Sequence, residues 1–401
     1  MEPNPELLRW LHGPARDLNL NAYFSGFCEQ LVQAELPVRR AHLALRELHP
    51  EYLARTFVWR RTGLEMRHFY RAHSPTESEA FNHSPVKRIF EGAAPIRCRI
   101  ETNGGQPAFP ILNELAEEGI TDYANYPVQF RRDERHSFSV ATDRDGGFGD
   151  PELRTLEAIL PAFATQLEVL ALDQMVHTLL DTYVGPSAGK RVLEGTIARG
   201  EGKRISAVLW FADLRRFTEL SEFLDNDALI SLLNDYFECI VAPVEEGGGE
   251  VLKFIGDAVL AVFPLPQRAT AADVVCEVAL AAAEQAIENV MALRSHPASY
   301  GECPVRFGVA LHVGEVTFGN VGSEHRLDFT VIGRDVNLAA RLQDLSSRLG
   351  TSLILSEAFV RRSKRDFVDL GEHPLKGIAE NQRAYTLRPS VDTVVGSNPQ
   401  S

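Results

Sequence analysis

Two carboxylates stand alone in apolar, β-prone runs of this chain: Asp213 in VLWFADLRRFT, Val208 to Thr218, and Asp257 in VLKFIGDAVLAVF, Val251 to Phe263. Mg²⁺ typically takes one or two protein carboxylates and completes its octahedron with water and substrate phosphates. Two such ions about 3.5–4 Å apart clamp the attacking and leaving oxygens of an in-line displacement. Asp213 and Asp257 are therefore candidate ligands of a nucleotide-metal site. Taken singly, Ala-Asp and Gly-Asp are ordinary turn material, so the pairing carries the suggestion.

The elements that must hold these residues alternate strand and helix from about Lys203. Ser206 to Ala212 reads as a strand. Asp227 to Glu245 reads as a helix with Leu229, Leu232, Leu233, Tyr236, Phe237 and Ile240 on one face. GGGE at Gly247 to Glu250 turns into a strand, Val251 to Ile255, and Gly256-Asp257 makes a tight hairpin turn into Ala258 to Phe263. An Ala-rich helix, Ala269 to Leu293, precedes a strand at Val305 to His312, a hairpin-like excursion from Gly314 to Phe329, a strand at Thr330 to Ile332 and a helix at Asp335 to Leu345.

The 401 residues suffice for two or three domains, and 44% hydrophobic with 24% charged residues is ordinary globular composition. A net charge of −14 argues against nucleic-acid binding, which relies on many cationic contacts to phosphate. Five scattered cysteines without CxxC spacing fit free thiols in a reducing compartment. The N-terminus lacks a basic region followed by an apolar one, and no uninterrupted apolar run approaches the roughly 18 to 20 residues of a spanning helix. The expectation is a cytoplasmic protein with no membrane span.

Residues 1–150 read as a sheet flanked by a few helices. The helices are Ala22 to Ala34, Ser84 to Glu91 with Ser84 as N-cap before Pro85, and Pro110 to Glu118. The strands are His42 to Leu48, Arg55 to Arg61, Leu64 to Arg71, Pro95 to Glu101, Tyr123 to Phe130 and His136 to Thr142. His42, His49, His83 and His136 are possible haem or metal ligands but more commonly structural, and no ligand is assigned. Asp150-Pro151 then opens a helix with Leu153, Leu156, Leu160, Phe163, Leu167 and Leu170 at heptad spacing, interrupted by Pro161 and read as a dimer seam, with packing on its own domain as the alternative. YVGPSAGKRVLEGTIARGEG, Tyr183 to Gly202, reads as a glycine-rich hinge, and RPSVDTVVGSNPQS, Arg388 to Ser401, as a disordered tail.

Two resemblances follow. The N-terminal order, closing with HSFSVATDRDGGFGDPELRTLEAIL, looks like a GAF-type sensory domain. Downstream, FADLRRFT, LKFIGDAVLAVF and DFTVIGRDVNLAARL, with LKGI at Leu375 to Ile378, resemble the motifs of class III adenylate and guanylate cyclases over roughly Lys203 to Leu387. That resemblance implies a mixed α-β fold with a ferredoxin-like βαββαβ core. The expected domains are 1–150 GAF-like and regulatory, 151–202 signalling helix and linker, 203–387 catalytic, and 388–401 tail.

The resemblance also implies two Mg²⁺ or Mn²⁺ ions per site, held by Asp213, Asp257 and the Leu214 carbonyl. Lys253 and Thr330 select the base, while Asn337 and Arg341 position ribose and stabilise the transition state. Chemistry agrees: Lys253 can only donate and Thr330 can accept, matching N1 and N6 of adenine, whereas guanine reverses both polarities. In the family, guanylate cyclases tend to carry Glu where Lys253 stands. Thr330, where many adenylate cyclases carry Asp, resembles the class IIIb subgroup, several members of which respond to bicarbonate. Asn337 and Arg341, four apart on a helix, share one face.

Four extended residues from Lys253 to Asp257 span about 13 Å, too far to serve one nucleotide easily. The family builds each site between two domains, which implies a homodimer here with sites at the subunit interface. Glu315 in HVGEV departs from members with Arg in the loop after the central strand, putting a supplementary phosphate contact in doubt. The leading expectation is an adenylate cyclase making 3′,5′-cyclic AMP and pyrophosphate from ATP, under an unidentified small-molecule regulator. A guanylate cyclase and a catalytically silent dimerisation or sensing module are the alternatives.

Overall fold

The computed structural model describes residues 4–47, 52–70, 79, 81–100, 108–195, 198, 200, 202–293 and 305–388. His49, Cys303 and the expected disordered tail beyond residue 388 lie outside them. The chain divides into two compact units, Met1–Leu179 and Leu180–Ser401.

The first unit opens with α1 (Pro5–His12), which the sequence reading missed although its start is well marked. Asn4 accepts from the Glu6 and Leu7 amides, and Pro5 occupies the first helical position. There follow α2 (Leu20–Gln33), β1 (Arg40–Arg46), β2 (Tyr52–Arg60), β3 (Gly63–Tyr70), α3 (Pro85–Phe90), β4 (Ile96–Arg99), α4 (Ile111–Glu117), β5 (Asp122–Gln129) and β6 (Arg135–Thr142). The strands form one antiparallel sheet in the order β3-β2-β1-β6-β5-β4.

Period-two alternation divides the strands between two faces. Ala41, Leu43 and Leu45 of β1, with Phe138 and Val140 of β6, join the main core with α1 and α2, while Tyr123 and Ala141 face a smaller cluster with Leu112 and Leu115 of α4. The buried Asp122 carboxylate accepts from Arg97 and from the Phe148 amide, fixing the turn that delivers buried Phe148 to the core.

Helix α5 (Asp150–Val184) runs through Pro161 without ending. The expected dimer seam is corrected: Leu153, Leu156, Leu160, Phe163 and Leu167 are buried in the core of their own unit. Phe163 stacks on Phe27 at 4.0 Å, and its carbonyl accepts from the Tyr23 hydroxyl at 2.9 Å. At roughly 1.5–3 kcal/mol per buried Leu or Phe, intrachain packing uses these side chains fully. The exposed apolar positions lie further along, at Val169, Leu172 and Val176. By length and composition alone the 35-residue helix could cross a membrane, a test that the core helices of soluble proteins also pass.

His136 gives this unit a pH dependence. It is buried and accepts from the Arg46 amide through Nδ1 at 3.0 Å, and burial beside Arg46 lowers its pKa to about 4. The unfolded chain therefore binds the extra proton between pH 6.5 and 4. Stability is complete above pH 6.5 and lost as pH falls through that window, with a slope approaching 1.4 kcal/mol per pH unit. Urea midpoints at pH 7 and 5 should differ accordingly, and His136→Gln should reduce the difference; an unchanged difference would refute the assignment.

In the second unit the expected hinge contains a helix, α6 (Pro186–Leu193), whose Ala188 is buried in a cluster with Leu209, Leu260 and Phe318, with the Arg191 guanidinium 5.2 Å from the Phe318 ring centroid. The remaining elements are β7 (Gly202–Leu214), α7 (Phe217–Phe223), α8 (Asn226–Glu246), β8 (Glu250–Ile255), β9 (Ala258–Pro264), α9 (Ala269–Leu293), β10 (Phe307–Gly322), β11 (Leu327–Ile332), α10 (Arg334–Leu349), β12 (Leu353–Ser356), α11 (Glu357–Val360), β13 (Phe367–His373) and β14 (Gln382–Leu387). The sheet runs β13-β14-β12-β10-β7-β9-β8, with β11 paired to β10. Its inner order β10-β7-β9-β8 is that of a ferredoxin-like βαββαβ core.

Helices α8 and α9 cover one face through Leu232, Tyr236, Ile240, Cys276, Leu280 and Ala283, against Trp210 and Val309. Helix α10 buries Leu338 and Leu342 with Ala310 on the other side of β10. The expected short strand and excursion are one strand, β10, folded onto β11 as a hairpin. Gly314, which suggested a break, instead permits close packing: a Cβ there would sit 2.4 Å from Asp335 Oδ2. Glu315 likewise lies inside β10 rather than in a loop, its amide donating to Asp335 at 2.7 Å.

Candidate active site

Strand β7 pairs with β9 as far as Ala212↔Val259, and Asp213 follows at that end. The β8–β9 turn carries Asp257 to the same place, with Gly256 at φ +66°, a conformation L side chains resist. The two carboxyl groups hydrogen-bond each other, and Asp213 is held well above the usual carboxylate range. Burial is the first cause, followed by the hydrogen bond and charge of Asp257 and then the charge of Asp344; the Leu214 amide opposes the shift. The pair is short of positive charge, which is what a cation ligand set requires. Among the described residues no group of three or more His, Cys, Asp and Glu forms a denser metal cluster. Two carboxylates suit a cation that draws its other ligands from water and phosphate.

Beyond Leu214 the backbone turns sharply, with non-glycine Arg216 at φ 60° before α7. Arg215 donates to the Ser346 carbonyl at 3.3 Å and to that of Thr351, tying the end of β7 to the C-terminal part of α10.

Strands β8 and β11 bring the two base-reading candidates to one locality. Lys253, half-buried on β8, forms an ion pair with Asp328 of β11, and Thr330 lies two residues further on the same face of that strand. Thr330 is buried, paired in register with Gly319. Sequence reasoning missed Asp328, although an acid two residues before Thr330 on an alternating strand was a usable signal.

Helix α10 leaves Asn337 exposed and Arg341 partly exposed while burying Leu338, Leu342 and Leu345. Arg341 pairs with Asp344 at 2.8 Å, an i,i+3 contact also missed from sequence. The helix start is anchored by Asp335, which lies 3.7 Å from buried His312 Nε2; His312 Nδ1 meets Ser356 Oγ at 2.8 Å. No local pattern joins residues 312, 335 and 356. The candidates thus gather as an aspartate pair, a base-reading pair and an exposed helix face. No hydrogen bond or ion pair connects Asn337 or Arg341 to either aspartate or to Lys253 among the described residues.

Residues 203–389 match the family described as adenylate and guanylate cyclase catalytic domain. An adenylate cyclase of Anabaena cylindrica is 34% identical over 155 residues, 38% of this chain and 29% of that protein. Adenylate cyclase 1 of Rhizobium meliloti is 33% identical over 170 residues, 42% of this chain and 25% of the relative. The matched stretch spans less than a third of either relative. A crystal structure of the adenylyl cyclase CyaB from P. aeruginosa is 29% identical, covering 47% of this chain and 97% of that one with a TM-score of 0.40. Residues 203–389, just under half of the chain, are thus similar to the catalytic domain of the adenylate and guanylate cyclases.

Proposed function

We propose that the chain is an adenylate cyclase, active as a homodimer and regulated through a GAF-like N-terminal unit. The observation that carries the ATP reading is Lys253 beside Thr330, a fixed cation and a hydroxyl that match the acceptor and donor on the adenine edge. Lys253 donates to N1 and Thr330 accepts from the N6 amine. Asn337 holds the ribose, and Arg341 exchanges Asp344 for the charge that builds on the α-phosphate. The ribose 3′-oxygen forms a bond to the α-phosphorus as the bridging bond to the β-phosphate breaks and pyrophosphate leaves. Mg²⁺ or Mn²⁺ held by Asp213, Asp257 and the Leu214 carbonyl would neutralise charge on the attacking and leaving oxygens.

The roughly 13 Å of extended chain between Lys253 and Asp257, with no hydrogen bond or ion pair from Asn337 or Arg341 to either aspartate among the described residues, supports sites shared between two chains. Phe223, Ile230, Phe254, Ile255 and Ile332 are exposed on the same unit and offer apolar surface for such an assembly.

Asp328 favours a second reading. A carboxylate at the base-reading locality can accept from guanine N1 and N2, as Lys253 cannot. Cyclic nucleotide formation from ATP and GTP, measured side by side on parent and Asp328→Asn chains, separates the two. On the ATP reading, cyclic AMP forms with GTP nearly inert, and Asp328→Asn raises KM for ATP about tenfold by freeing Lys253 from a charge-assisted bond of roughly 1.5 kcal/mol. GTP turnover that disappears in Asp328→Asn would establish the guanylate reading instead. No product from the full chain or from residues 203–388 would leave a silent module.

A further inference from the structure

A cavity of about 200 Å³ opens in the first unit between the sheet and helices α3 and α4. It lies on the face opposite the main core, because Arg40, His42 and Ala44 alternate with the core residues Ala41, Leu43 and Leu45 along β1. Thr56 and Tyr123 complete the sheet side; Val86 and Ile111 line the helix side, and the wall is predominantly apolar.

Two polar groups in this wall lack partners. The Arg40 guanidinium makes no hydrogen bond or ion pair among the described residues, and its Nε is buried without an acceptor. Burial lowers its pKa, although its guanidinium keeps its charge at neutral pH. The acids nearby do not answer it: Glu118 is engaged by Arg60 at 2.8 Å, and Glu114 is exposed at the rim. The His42 ring also makes no hydrogen bond among the described residues, and burial followed by the charge of Arg40 lowers its pKa to about 3. The neutral ring keeps one N–H donor. By contrast, Tyr123 is already hydrogen-bonded to Ser139, and Thr56 donates to the Arg67 carbonyl at 3.3 Å.

A charged, desolvated guanidinium without an acceptor is costly, and a carboxylate matches its fork with two parallel charge-assisted bonds. Size sets the remainder of the ligand. An apolar cavity of about 150 Å³ holds benzene, so one near 200 Å³ holds an aromatic ring with a single small substituent. We propose that this cavity is a binding site for a small aromatic carboxylic acid, its carboxylate on Arg40 and His42 and its ring against Val86 and Ile111. Glu114 at the rim disfavours more highly charged anions such as phosphate esters. The proposal does not depend on which nucleotide the second unit uses.

Benzoate is the probe, titrated calorimetrically into the full chain. One molecule per chain is expected to bind, with acetate and benzyl alcohol at least about tenfold weaker because each lacks either the ring or the charge-assisted pair. Arg40→Met should lose at least about tenfold in benzoate affinity, while Arg40→Lys keeps part of it as a point charge without the fork. Ile111→Trp, which fills the cavity from the apolar side and leaves Arg40 in place, should abolish binding with the circular dichroism spectrum retained. If Arg40→Met does not fold, Ile111→Trp decides the matter. No saturable heat up to about 10 mM benzoate, benzyl alcohol binding as tightly as benzoate, or undiminished binding to a folded Arg40→Met or Ile111→Trp chain would overturn the site.

Discussion

An Asp257→Ala chain is expected to lose about 10³-fold or more in cyclisation rate while folding and assembling normally. The reason is the geometry at the end of β7 and β9. Asp213 and Asp257 hydrogen-bond, and among the described residues no third carboxylate joins them in a metal cluster. Removing either leaves one carboxylate where the chemistry draws on charge neutralisation at both oxygens of the displacement. The fold should not suffer, because Asp257 occupies a turn and its charge opposes ionisation of Asp213. Its removal relieves like-charge repulsion, so the melting temperature should stay level or rise slightly. Initial rates with Mg²⁺ and with Mn²⁺, beside a thermal melt, test both parts. Activity within a few-fold of the parent would sink the metal-site reading. Lost activity with an unfolded chain would show that Asp257 serves the turn rather than the site.

The second large effect is complementation between two inactive chains. Arg341→Ala should cost about 10²–10³-fold, the usual consequence of losing one transition-state stabiliser. Its contact with Asp344 is a surface pair worth less than about 1 kcal/mol, so stability should barely change. If each site takes its aspartates from one protomer and Asn337 and Arg341 from the other, a dimer of one Asp257→Ala and one Arg341→Ala chain has one wholly intact site and one doubly damaged site. Random pairing of equal amounts makes half the dimers mixed, so about a quarter of parental activity should return. Recovery near that level on mixing and re-equilibrating the purified chains supports the shared site. Absence of recovery, with mixed dimers shown to form, would mean that every protomer builds its site alone.

Much of both units was legible because the signals are local. Ser84 caps the helix before Pro85 as expected, the Ala-rich helix runs from Ala269 to Leu293 as expected, and Gly256-Asp257 turns between two apolar strands. Caps, turns and periodicity are written over a few consecutive residues, and so are the motifs carrying Asp213, Lys253, Thr330, Asn337 and Arg341. The first helix, with Asn4 and Pro5 at its start, was equally local and simply missed.

Only the tertiary structure decided which of two available partners each face takes. The spacing of Leu153, Leu156, Leu160, Phe163 and Leu167 serves a second chain or a neighbouring sheet equally well, and the nearby aromatic core of α2 and β6 claims it. Gly314 reads as a break along the chain but becomes a site of close approach once Asp335 packs over it. Lys253 with Asp328, and His312 with Asp335 and Ser356, depend on strands and helices far apart in sequence. By itself the sequence determined the residue types, the local elements and the chemistry available to them. The charge environment and packing partner of each side chain came only with the fold, because burial and electrostatic proximity are properties of three-dimensional neighbours.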